Sequence, residues 1–284
     1  MGPESRHPAR YCVDMCGRVV TASGPEELSE YLGADAIVDV LDGPDHNVAP
    51  SRRLPVVWTS EGDGGRLLGT ARWGLVPGWA KDPAIGDRMF NARAETVADK
   101  PSFRDAFRCR RCLVAVDGFY EWGPGTPSPA DQRPDNARTS KQPWYIQRSD
   151  GRPLVLAGLW ERWVGTGSDD RRPGTDPSVN GPSDDGLRTC AVITVQANGD
   201  LSPVHHRMPA VLESAEWGAW LDADDPNRYE LEGLLAPAAD GTLSRHPVDH
   251  RVNNARNKGA DLLDLLDRTR IDAPPSPAGQ GALW

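Results

Sequence analysis

No run of about eighteen apolar residues occurs anywhere in the chain, so the sequence offers no candidate transmembrane helix. The first residues lack the apolar stretch of a secretory signal. Cysteine is scarce, 5 in 284 residues, which excludes a disulfide framework and fits a reduced, cytoplasmic location. Lysine is nearly missing beside arginine, 4 against 28, a ratio that partly reflects genome composition. There is no internal repeat, and the glycine-rich stretches match neither a P-loop nor a dinucleotide fingerprint. Cys109 and Cys112 have metal-like spacing, but no second Cys/His pair with zinc-ligand spacing follows. His246 and His250 are four apart with Pro247 between them, which spoils a helical ligand pair. No metal and no cofactor is therefore expected. Excess positive charge is also missing: the net charge of −9, taken alone, argues against a nucleic-acid partner.

That total hides a segregation. Residues 165–186 carry net −3 and residues 213–240 net −7, so the rest of the chain sums to +1. Residues 88–111 carry +4 and residues 245–258 carry +3, with His246 and His250 added. Nucleic-acid binding depends on the local field of a groove, so the total does not decide the matter.

The patterning predicts an α+β fold, mostly antiparallel β with peripheral helices, over residues 16–270. A short helix is expected at 25–33, with Pro25 in its first turn and Gly33 after its end. Strands are expected at 54–60, 66–76, 143–148, 153–161 and 188–196, and two more across 112–122, meeting at Asp117-Gly118. Helices are expected at 214–222 and 227–235, with a strongly amphipathic one at 259–267. Residues 123–141 and 165–186 read as low-complexity loop insertions, residues 1–15 as an extension, and residues 271–284 as a disordered tail.

Four short motifs carry unusual chemistry: Met15-Cys16-Gly17-Arg18, Asn91-Ala92-Arg93-Ala94-Glu95-Thr96, Gly118-Phe119-Tyr120-Glu121-Trp122 and His205-His206-Arg207-Met208-Pro209. Singly, each has a bland reading as a core or turn segment. With Asn47-Val48-Ala49-Pro50, Trp73-Gly74-Leu75-Val76-Pro77-Gly78-Trp79 and the closing Val252-Asn253-Asn254-Ala255-Arg256-Asn257-Lys258-Gly259, they stand in an order that resembles the SRAP family, the SOS-response-associated peptidases or abasic-site-processing proteins. The resemblance spans about residues 15–266.

The resemblance implies a barrel-like fold and a sensor of abasic sites in single-stranded DNA. Such a protein protects the lesion during the DNA damage response by joining itself to the opened sugar through a thiazolidine. Peptidase, hydrolase or lyase activity is implied beside it. By resemblance Cys16 supplies amine and thiol, Glu121 is the acid/base group, His205 assists the proton traffic, and Asn91 orients the terminal amine. Arg18, Arg93 and Arg207 would bind phosphates, while Asn47, Pro50, Trp73 and Trp122 line the channel. The partner expected is single-stranded DNA with abasic sites; no membrane is expected, protein partners are not indicated, and the implied location is cytoplasmic, at the nucleoid when DNA is bound. Because Cys16 is not residue 2, the resemblance further requires either a start at Met15 or removal of residues 1–15. Two readings compete: a cysteine peptidase using Cys16 and His205, and a non-catalytic single-strand DNA module.

Overall fold

The computed structural model describes residues 17–60, 62, 64–124, 141–165, 186–222 and 227–266. The extension 1–15, Cys16, nearly all of both low-complexity segments and the tail 271–284 lie outside these residues. Among the described residues no helix is long and apolar enough to cross a membrane.

The elements in chain order are β1 (Val19–Thr21), α1 (Pro25–Leu32), β2 (Ala36–Ile37), β3 (Asp45–Val48), β4 (Arg53–Thr59), β5 (Arg66–Trp73), β6 (Asn91–Arg93), α2 (Ala94–Val97), α3 (Arg104–Cys109), β7 (Arg111–Val116), β8 (Gly118–Gly123), β9 (Gln142–Arg148), β10 (Leu154–Trp163), β11 (Leu187–Gln196), β12 (Arg207–Pro209), α4 (Trp217–Leu221), α5 (Arg228–Gly233) and β13 (Leu243–Pro247). Strands β11, β10, β7, β4 and β5 are each hydrogen-bonded to the next, and β11 also pairs β5 through Thr189–Arg72 and Cys190–Trp73. That last, parallel pairing closes five strands into a barrel, and closure removes the exposed edges an open sheet would present. β6 joins β11 in parallel at Val192–Thr194, and β12 joins it antiparallel at Thr194–Gln196. A second, fully antiparallel sheet has the order β13-β9-β8-β1-β3.

The fold is thus α+β and mostly antiparallel, as the strand patterning predicts. The strands expected at Asp117-Gly118 do meet there, but they do not form a hairpin. β7 pairs β10 and β4 inside the barrel, whereas β8 pairs β1 and β9 in the second sheet, so the chain changes sheet at this point. Asp117 fixes the crossing: its carboxylate accepts from Ala22 N at 2.5 Å, Ser23 N at 3.0 Å and Ser23 Oγ at 2.5 Å. Gly118 permits it, since a Cβ there would lie 2.5 Å from the Tyr145 ring. The amphipathic helix expected at 259–267 is instead one 3₁₀ turn, Ala260–Leu263. Leu266 N donates to Pro247 O at 2.8 Å, so the backbone leaves the helical path to run beside β13. The helices expected at 214–222 and 227–235 are shorter, α4 and α5.

β8 presents different residues to the two sides of its sheet, because side chains alternate along a strand. Val19, Phe119 and Ile146 belong to the main core shared with the barrel. Val20, Tyr120 and Tyr145 form a separate small cluster with Val248 and Val252, against which Trp122 and Leu263 pack. Glu121 shares the barrel-facing side with Phe119, while Arg18, Tyr120 and Trp122 share the other.

Candidate functional site

Glu121 is 5% exposed and sits in β8 opposite Trp144. His205 Nε2 lies 3.7 Å from its Oε1, longer than a hydrogen bond but within ion-pair range. The turn carrying His205 is tied down locally: Val204 N and His205 N both donate to Leu201 O, at 2.8 and 3.0 Å. Its approach to β8 depends on Gly123, where a Cβ would lie 2.9 Å from Val204 Cγ1 and 3.0 Å from Val204 Cα. His205 Nδ1 meets the Arg207 backbone twice, with the amide nitrogen 3.1 Å and the carbonyl oxygen 3.4 Å away, and Nε2 faces the carboxylate. Burial above all, then the charges of His206, Lys141 and Arg207, hold the His205 pKa below the ordinary imidazole value, while the Arg207 backbone pulls it the other way.

The start of β1 arrives at the same side. Val19 pairs with Phe119, and Tyr120 N donates to Arg18 O at 2.9 Å; continuing that register brings Gly17 level with Glu121. A Cβ on Gly17 would lie 3.9 Å from Phe90 Cε2. Phe90 directly precedes half-buried Asn91, the first residue of β6. Trp73 fixes this corner: its Nε1 donates to Phe90 O at 2.8 Å and its ring meets Phe90 edge-on at 5.8 Å. Gly17, Phe90-Asn91, Glu121 and His205 therefore converge from four separate strands and turns, although they are up to 188 residues apart in the chain.

Several residues expected to line a channel stand elsewhere. Trp73 is fully buried, so it supports the wall through Phe90 and offers no surface for stacking. Asn47 is fully buried too, because the last motif covers it. Its Nδ2 donates to Val252 O, Asn254 O and Asn257 O at 3.2, 3.1 and 3.0 Å, and its Oδ1 accepts from Arg18 Nη1 at 2.6 Å. Lys258 Nζ adds bonds to Asp45 Oδ2 at 2.6 Å and Asn47 O at 2.8 Å. Residues 252–258 thereby form a strap across β3 and the outer side of β1. Asn47→Ala should cost about 2–4 kcal/mol of stability by urea unfolding, since it strands up to three buried carbonyls and the Arg18 guanidinium; a change below about 0.5 kcal/mol would show that the strap does not depend on Asn47.

Arg18 also donates to Val252 O at 2.8 Å, and its guanidinium lies 5.8 Å from the Trp122 ring centre. Burial lowers its pKa. Trp122 is half-buried and donates from Nε1 to Asn253 Oδ1 at 2.7 Å. Arg18 and Trp122 thus adjoin each other, but across the sheet from Glu121. Arg207 clasps two motifs together: its guanidinium pairs with both Glu95 carboxylate oxygens and donates to Thr194 O at 2.6 Å, and its side chain is 13% exposed. It ties β12 to α2 where a phosphate contact was expected. Arg93 is exposed, at the end of β6. Pro50 is half-buried in the turn between β3 and β4, where Ser51 takes a φ of 71°. Cys112 and Cys190 are core strand residues; burial raises both thiols, Cys190 to about 12.

Sequence reasoning did not single out Phe90, Gly123 or Asn253 as individual supports. Phe90 and Gly123 each border a quoted motif, and only the close contacts across strands reveal their work.

A family model described as SOS response associated peptidase matches residues 15–255. The chain is 32% identical over 251 residues to the abasic site processing protein YoqW of Bacillus subtilis, covering 88% of this chain and 99% of that protein. It is 29% identical over 260 residues to abasic site processing protein YedK of Escherichia coli, covering 88% and 99%. It is 31% identical over 281 residues to abasic site processing protein HMCES of Pongo abelii, covering 89% and 73%. A solved structure of a Bacteroides thetaiotaomicron protein shares the fold, with a TM-score of 0.69 at 20% identity over 88% of this chain and 100% of that one. A phage-related protein from Bordetella bronchiseptica aligns with a TM-score of 0.58 at 27% identity, covering 82% and 94%.

Proposed function

The chain belongs to the SOS response associated peptidase family, and on that premise we propose that it processes abasic sites by joining Cys16 covalently to the opened sugar in single-stranded DNA. The observation that carries this reading is the pair of buried Glu121 and half-buried His205 on the side of β8 that Gly17 reaches. A ring-opened abasic site presents an aldehyde. The α-amine of Cys16 adds to it, water leaves, and an imine forms. The thiol then adds to the imine carbon and its proton passes to nitrogen, closing a five-membered thiazolidine. The balance is one bond each from nitrogen and sulfur to the same carbon, with loss of one water. No oxidant or reductant is needed.

An α-amine has a pKa near ~8, so a useful fraction is neutral at pH 7. Holding the aldehyde beside amine and thiol supplies effective molarity. Glu121 moves the protons that amine addition and water loss require. His205, with Nε2 facing that carboxylate at 3.7 Å, helps keep it directed at the reacting carbon. With Nε2 facing Glu121, His205 is engaged as the partner of a carboxylate, which the crosslinking reading uses and a Cys–His peptidase leaves without work. The exposed Arg93 and the half-buried Trp122 are the proposed contacts to phosphate and unpaired base.

Intact-mass measurement after incubation with abasic single-stranded DNA tests the reading. The expected species is protein plus DNA less one water. Release of a peptide without an adduct would replace it by the peptidase reading, and retention of DNA at unchanged mass by the binding-module reading.

A further inference from the structure

Resting on the crosslinking reading above, we propose that Lys141 binds a DNA phosphate flanking the abasic sugar, the kind of contact that Arg207 was expected to make.

The cations around the candidate site divide by what already holds them. Arg18 is engaged by Asn47 Oδ1 and Val252 O across the sheet. Arg207 is engaged by both Glu95 carboxylate oxygens and by Thr194 O. Lys141 differs from both. It is exposed, and no ion pair with another described residue takes up its ammonium.

Its place beside the site follows from strand register. Glu121 pairs with Trp144 and Gly123 with Gln142, so Lys141 stands just beyond the end of that ladder, where β9 begins. Gly123 is the residue on which the His205 turn closes, a Cβ there lying 3.0 Å from Val204 Cα. Gln142 anchors the entry to β9. It is 9% exposed, and its Nε2 donates to Pro143 O at 2.9 Å and to Val248 O at 2.8 Å. The Lys141 charge is felt at this corner, since it is among those that oppose a cation on His205. Arg93 approaches from a different element, two residues past Asn91 on β6. A strand whose abasic sugar lies at Glu121 has a phosphate on either side of that sugar, and β6 and β9 each bring one cation. An ammonium on a flexible stem meets a phosphate as a point charge, without the fixed fork that Arg requires. Beside a buried carboxylate it also offsets the repulsion between Glu121 and the incoming phosphate.

The test uses the whole chain and single-stranded oligonucleotides with a tetrahydrofuran in place of the abasic sugar. That analogue has no aldehyde, so it reports binding without crosslinking. Removing one phosphate contact to a single strand lowers the steepness of log Kd against log salt by about 0.7. Lys141→Gln should show that decrease, with Kd raised roughly 5–10-fold at about 0.05 M salt and the difference closing toward about 1 M. Lys141→Arg should keep the wild-type slope. A neutral methylphosphonate at one of the two linkages beside the sugar should weaken wild type by a similar factor and leave Lys141→Gln unaffected, because that partner is already gone. An unchanged salt slope in Lys141→Gln would overturn the proposal. So would methylphosphonate losses that add in full to the Lys141→Gln loss at both linkages. The two readings fail separately: wild type that shows the Lys141-dependent slope but never crosslinks to a true abasic strand refutes the Cys16 reading alone, and one that crosslinks with a slope indifferent to Lys141 refutes the Lys141 contact alone.

Discussion

Cys16→Ala is expected to abolish the denaturant-stable adduct with abasic single-stranded DNA while leaving one that borohydride can trap. Alanine keeps the α-amine, so the imine still forms. It lacks the sulfur that adds to the imine carbon, so the product returns to aldehyde and amine by hydrolysis. Cys16→Ser should behave likewise. The measurement is a denaturing gel of variant and wild type, each with and without borohydride. A stable, unreduced crosslink from Cys16→Ala would show that the second bond is not to sulfur. The same logic makes the free amine obligatory. Terminal sequencing of the crosslinking-competent wild-type species should read Cys16 first, and a competent species starting upstream would rule out the thiazolidine.

Glu121→Gln is the second large effect, a crosslinking rate lower by roughly 10²–10⁴-fold, the usual contribution of one well-placed acid/base group. Glutamine preserves size and hydrogen bonding in a site where Glu121 is 5% exposed. What it removes is proton exchange. Single-strand affinity, measured by anisotropy, should therefore stay within about twofold of wild type, since the strand is held chiefly through its phosphates and bases and glutamine fills the same space. A rate equal to wild type, or a rate loss matched by an affinity loss, would make Glu121 a structural or binding residue.

Much of the fold was readable because its long strands carry their own pattern. β4, β5, β7, β10 and β11 are apolar runs bounded by turn residues, and each lies where the sequence puts it, give or take its ends. The short strands were not readable, because β1, β2, β6 and β12 have only two or three residues each and exist through their partners. The amphipathic pattern of 259–267 describes a real apolar side, with Leu262 buried, but a bond to Pro247 outweighed helix continuation. The candidate site was legible as a set of residues and much less so as an arrangement. Nothing local in Asn47 or Trp73 distinguishes a side chain that lines a channel from one buried behind its wall. The burial of Asn47 is decided by carbonyls 205–210 residues further along. Arg207 reads as a free cation until Glu95, 112 residues earlier, is found against it. The alternation in Gly118–Gly123 was visible, but its meaning required knowing that the strand crosses into the second sheet.

The strap over Asn47 also orders events during synthesis. Residues 17–18, next to Cys16, are among the first of this segment to leave the ribosome, and residues 252–258 are among the last. Until those late residues arrive, Arg18 and Asn47 lack the Val252, Asn254 and Asn257 carbonyls that hold them. Domains of this size emerge over tens of seconds at about 5–20 residues per second. A growing chain therefore carries the front of its site long before the piece that clamps it, and the outer wall of β1 is completed only when synthesis of the domain is almost over.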